Sequence, residues 1–109
     1  MTIANQCTIT AKADQEKPLK SELNALVARS LLEKGCQKFE LYQLYDAQDK
    51  FFIIEIWKSE RSYKKHLEGR EYLQHKEMMQ QYIDSEVVHP LKLTQCLTQL
   101  GLKEKKENK

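Results

Sequence analysis

The chain opens on an alternation. In Thr2 to Lys12 (TIANQCTITAK), Ile3, Asn5, Cys7, Ile9 and Ala11 fall on one face, and Ala4, Gln6, Thr8, Thr10 and Lys12 on the other. A period of two in a run rich in Thr and Ile predicts a first strand. Polar Asp14-Gln15-Glu16-Lys17 predicts a loop, and Pro18 suits the first helical position, where its missing N–H matters least. The period then changes: Leu19, Leu23, Leu26, Val27 and Leu31 form the apolar stripe of an amphipathic helix over 18–34, which Gly35 ends.

Cys36 to Ala47 has a strand composition in Phe39, Leu41, Tyr42, Leu44 and Tyr45, and Asp46-Ala47-Gln48-Asp49 reads as a turn. Lys50 to Lys58 (KFFIIEIWK) is the strongest strand signal in the chain. Phe52, Ile54 and Ile56 share the face expected to meet the helices, and Phe51, Ile53, Glu55 and Trp57 share the opposite one. Apolar residues on both faces imply cover on both sides. Ser59 is a good N-cap for a short helix to Glu68, broken at Gly69. A second helical stretch, 70–83, places Tyr72, His75, Met79 and Tyr82 on one face, and Asp84-Ser85-Glu86 ends it. Val87 to Leu100 is the last expected strand, with Val87, His89, Leu91, Leu93 and Leu97 on one face. Pro90 suits an edge or a bulge. The order is that of an α+β, ferredoxin-like βαββαβ fold with an antiparallel sheet. That fold hosts many functions and does not give the activity.

Composition narrows the class. The 109 residues make one domain, read as 1–102, followed by a charged, solvated tail over 103–109. A domain this small is marginal alone, and burying a sheet face against a second copy is one remedy, so a homodimer is expected. Lys plus Arg total 18 against 16 Asp plus Glu, a net charge of +2, without the basic excess of a nucleic-acid binder. Cys7, Cys36 and Cys96 are odd in number and form no Cys-x-x-Cys, so neither a disulfide framework nor a zinc site is expected. No apolar run fits a signal peptide or a membrane span. A cytoplasmic protein without membrane or nucleic-acid partners is the resulting expectation. His66, His75 and His89 lack ligand spacing, and glycines at 35, 69 and 101 make no phosphate loop. Neither metal nor flavin is expected.

The densest chemistry is Glu55-Ile56-Trp57-Lys58-Ser59 followed by His66. Glu-x-Trp at the end of the third strand, then a short helix with a His nine residues after the Trp, resembles the antibiotic-biosynthesis-monooxygenase family. The resemblance covers about Ile3 to Leu97. It implies a dimeric α+β barrel and a cofactor-independent oxygenation of a small aromatic or quinol-like substrate. Where the family often carries Pro-His-aromatic, this chain has Arg70-Glu71-Tyr72, which keeps the aromatic and loses the His; His75 follows one turn later. Such chemistry asks for an apolar pocket, a base, and donors for the developing anion. His66 is the candidate base and Asn5 the candidate holder of an oxygen atom. Trp57, Tyr63, Tyr72, His75 and Glu55 are the candidate substrate-binding side chains. Each also has a plain structural reading: packing for Trp57 and His75, bracing of the helix for His66, a sheet acceptor for Glu55. Three alternatives stay open: a non-catalytic dimeric barrel binding a small ligand, a stress-response protein, and a haem-degrading relative. An RNA-recognition module shares the strand order, but Lys50 to Trp57 lacks its small residues, and Glu55 puts negative charge on the face of Trp57.

Overall fold

A computed structural model describes residues 1–94. Four strands form one antiparallel sheet in the order β2-β3-β1-β4: β1 Ile3–Ala11, β2 Cys36–Leu44, β3 Ala47–Trp57 and β4 Ile83–Leu91. Helices α1 (Glu16–Leu31), α2 (Glu60–Glu68) and α3 (Arg70–Met79) carry the connections, and a short 3₁₀ turn, Gln80–Tyr82, leads into β4. This is the expected α+β ferredoxin-like arrangement. No helix among the described residues is long and apolar enough to cross a membrane.

α1 begins at Glu16, so Pro18 is its third residue rather than its first. The position is still free of penalty, because the first backbone bond of the helix is donated by Leu19, to Gln15 O. The apolar stripe holds at Leu19, Leu23 and Leu26, which are buried, and at half-buried Val27, whereas Leu31 at the end of the helix is exposed. α1 ends at Leu31, three residues before the expected end, and Glu33 N–H to Ser30 O tightens the exit. Gly35 does take a left-handed conformation (φ 97°), but in the loop beyond the helix. The hairpin loop shrinks to Tyr45 and Asp46, with Leu44 paired to Ala47.

The assignment of faces on β3 is reversed. Phe51, Ile53, Glu55 and Trp57 are the buried side chains under the helices, while Phe52, Ile54 and Ile56 lie half-buried on the far face. Hydrophobicity alone favoured the all-apolar set for the core. The inner set wins because it meets Ile9, Phe39, Leu23 and Met79 in one cluster, and because Glu55 finds partners there. β4 also differs: Asp84-Ser85-Glu86 is strand rather than helix end, and the strand stops at Leu91, before Leu93. Its polar residues are explained by its exposed position at the sheet edge, which equally accommodates Pro90. Cys96, Leu97 and the 103–109 tail lie outside the described residues.

Candidate active site

Three local features bring the polar side chains together. On β3 a spacing of two places Glu55 and Trp57 on the inner face, where Trp57 Nε1 donates to Glu55 Oε1 at 2.7 Å. Beyond the strand, Ser59 Oγ accepts from Ser62 N–H at 3.1 Å and starts α2, as its residue type predicts. One turn on, α2 presents Tyr63 and His66, and α3 adds Tyr72.

His66 is the hub. It is 2% exposed, with ring centroids of Trp57 and Tyr72 each at 4.5 Å and of Phe39 at 5.8 Å. Its Nδ1 lies 2.7 Å from Oε2 of Glu33, which reaches in from the turn after α1. Glu33 is the principal residue the sequence reading missed. It stands 33 residues away in the chain, inside a stretch that reads as the polar end of a helix.

A cavity of about 270 Å³ lies between the sheet and the helices. Glu55, Tyr63, His66 and Tyr72 supply much of its polar wall, together with Cys7, Lys76 and Glu86; Ile9, Leu23, Leu26, Phe39 and Ile53 supply apolar surface. Trp57 does not line it. The indole is wholly buried behind the wall, holding Glu55 by a hydrogen bond and His66 by ring contact. Asn5 likewise stands behind the wall, opposite Glu55 in the β1–β3 register. Its amide favours the charged form of Glu55, yet its buried Nδ2 has no hydrogen-bond partner among the described residues. His75 is not brought to this cavity: Nδ1 pairs with Glu22 Oε2 at 3.2 Å, tying α3 to α1. It lines a second cavity of about 270 Å³ on the helix side, with Arg29, Ser30, Glu33, Arg70 and Glu71.

Burial sets the electrostatics. It holds the Glu55 carboxyl above the usual carboxylate range, against the opposing pull of the Trp57 N–H, His66 and Asn5. Burial is also the largest cause of the raised Tyr63 phenol, helped by Glu55, and of the strongly raised Tyr72 phenol, helped by Glu86. Both phenols therefore serve as donors at neutral pH. The Cys7 thiol is pushed up to about 12 by burial, then by Glu55 and Glu86, which makes it a poor nucleophile. Among the described residues no group of three or more His, Cys, Asp or Glu is arranged to hold a metal ion.

The fold recurs widely. A Pseudomonas aeruginosa protein, PA3566, matches at 26% identity over 85% of this chain and 95% of its own, with a TM-score of 0.80. A Mycobacterium tuberculosis protein, Rv0793, matches at 18% identity over 90% and 100%, with a TM-score of 0.82. SnoaB of Streptomyces nogalater, described as a cofactor-independent oxygenase, matches at 14% identity over 88% and 96%, with a TM-score of 0.79. No curated protein matches in sequence. The family model for antibiotic biosynthesis monooxygenase matches residues 2–78, a span holding Glu55, Trp57, His66 and Tyr72, and the chain belongs to that family.

Proposed function

We propose that the protein is a cofactor-independent monooxygenase that acts, as a homodimer, on a small aromatic or quinol-like substrate with dioxygen. The observation that carries this reading is a buried histidine, caged by aromatic rings, on the wall of a cavity lined by both polar and apolar side chains in a chain of this family. The cavity of about 270 Å³ exceeds the roughly 150 Å³ that encloses benzene and falls just short of the roughly 300 Å³ where drug-sized sites begin. One or two fused rings fit.

The chemistry follows from the side chains. His66 takes a proton from the substrate as the general base. Tyr63 and Tyr72 donate to the resulting anion, and the Lys76 ammonium, 5.8 Å from the Tyr72 ring, adds positive charge at the wall. The electron-rich anion passes one electron to dioxygen, and the two radicals join in a carbon–oxygen bond. Cleavage of the O–O bond leaves one oxygen as a carbonyl. The other departs as water, taking the second substrate hydrogen and the proton returned by His66. Asn5, behind the wall and opposite Glu55, acts on the cavity through that carboxyl. On the far face of the sheet, Phe52, Ile54 and Ile56 with Tyr42 and, across Gln6 and Thr8 of β1, Val87 and Leu91 are the apolar side chains that a second copy would cover. Cys7 and Cys36, unpaired among the described residues, suit a reducing, cytoplasmic setting.

Oxygen uptake with hydroquinone and naphthohydroquinone, with labelled dioxygen, tests the reading. One labelled atom should enter the product. His66→Ala should lower turnover by about 10²–10⁴-fold with the fold intact. His75→Ala should keep turnover and lose roughly 1–3 kcal/mol of stability through the α1–α3 tie. Uptake no faster than without protein would leave a ligand-binding barrel instead.

A further inference from the structure

We infer that Glu33 is the positioning residue for His66: by accepting a hydrogen bond from Nδ1 it fixes the ring tautomer and keeps Nε2 free as the base. This rests on the reading of His66 as the proton acceptor, and it adds a residue that neither the Glu-x-Trp motif nor the cavity wall indicates.

The geometry carries the inference. A carboxylate only accepts, so a 2.7 Å contact from Glu33 Oε2 requires the proton on Nδ1. The neutral ring then carries its lone pair on Nε2, which makes no hydrogen bond among the described residues. Leu26, His66 and Tyr72 are the side chains that line both cavities. Of these, His66 is the one whose ring has one nitrogen to donate and another to accept a proton. Glu33 meets it on the helix side, away from the sheet-side cavity where substrate would sit. When Nε2 takes a proton, the imidazolium forms beside a carboxylate already in place, so little has to reorganise.

The other charged groups nearby are occupied or lie further out. Arg29 pairs with Glu71 at 3.0 Å, His75 with Glu22, and Glu55 holds Trp57. Arg70 lines the helix-side cavity, and Lys34, Lys58, Arg61 and Lys65 surround the opposite side of Glu33 in an open cleft. The Glu33 backbone is held at both ends, its N–H donating to Ser30 O at 3.0 Å and its carbonyl accepting from Cys36 N–H at 3.1 Å. The carboxylate is thus delivered by a fixed turn, and its side chain, 36% exposed, reaches water.

Two measurements on the full chain test this. Nitrogen-15 NMR of labelled histidine should find His66 of the wild type protonated on Nδ1 at neutral pH, and in Glu33→Leu largely on Nε2. With hydroquinone or naphthohydroquinone, Glu33→Leu should lower kcat by roughly 10²-fold or more with KM nearly unchanged. Added formate, entering the exposed place of the carboxylate, should restore part of the rate, which a merely structural role does not predict. Glu33→Gln, which still accepts through its amide oxygen, should keep the Nδ1–H tautomer yet lose rate. It serves as the test if the leucine variant fails to fold. An unchanged tautomer in Glu33→Leu, or full kcat in Glu33→Gln, overturns the inference. Absence of turnover in the wild type counts against the oxygenase reading alone, and the His66 tautomer still decides for or against Glu33.

Discussion

The two faces of β3 invert the usual relation between polarity and burial. The inner face carries a carboxylate and an indole N–H, yet Phe51, Ile53, Glu55 and Trp57 are all buried. On the outer face Phe52, Ile54 and Ile56 form an apolar run, yet it is only half-buried, and beyond Ala4, Gln6 and Thr8 of β1 the same face carries exposed Val87 and Leu91. Tyr42 stacks on Phe52 there with ring centroids 5.3 Å apart. The contrast separates two demands. A carboxylate is kept in a core only where its desolvation is offset by partners, and Glu55 has Trp57 beside it. An apolar surface is kept outside where something else covers it.

Three substitutions probe that contrast. Trp57→Ala should act most strongly, because it empties the inner face and leaves Glu55 without its indole donor. A loss of about 3–5 kcal/mol in chemical denaturation is expected. Ile54→Lys places a charge on the outer face alone. It should weaken the proposed self-association by roughly 2–3 kcal/mol, shifting sedimentation toward the 12.9 kDa monomer, while the inner ring contacts of Trp57 stay intact by near-ultraviolet dichroism. Glu55→Gln should act least, and in the opposite direction. With its folded value raised by burial, the Glu55 carboxyl favours the native state when protonated. That contribution is complete below the ordinary carboxylate value and is lost as pH rises through the folded value. The amide does not titrate and still accepts from Trp57, so melting at pH 7 should rise, by no more than about 1–2 kcal/mol, and its pH dependence above the ordinary carboxylate range should flatten.

Much of the fold was legible because local signals agreed with it. The Leu19, Leu23 and Leu26 stripe, the Ser59 cap and the Phe51 to Trp57 run each named an element correctly. The faces of β3 were not legible, since both sides of that run are apolar enough for a core and only the register with β1 decides between them. The polar start of β4 imitates a helix end because an exposed edge strand has no buried face to advertise. In the site, His66 stood out through its spacing from Trp57, but its partner Glu33 comes from a different turn, and no local pattern links the two. The cavity wall was equally hidden. It admits Tyr63 and Tyr72, keeps Trp57 behind them, and sends His75 to the other side of α3.

Gly35 acts as a spacer of zero thickness. Its backbone carbonyl accepts from Lys58 N–H at 2.7 Å, and a methyl group added at its Cα would run into the Ser62 side chain of α2. Two residues before it stands Glu33; one turn after Ser62 stands His66. The clearance between one turn and one helix therefore sets how far a carboxylate stands from an imidazole. A single extra carbon there would act as a shim, prying apart a pair that it never touches.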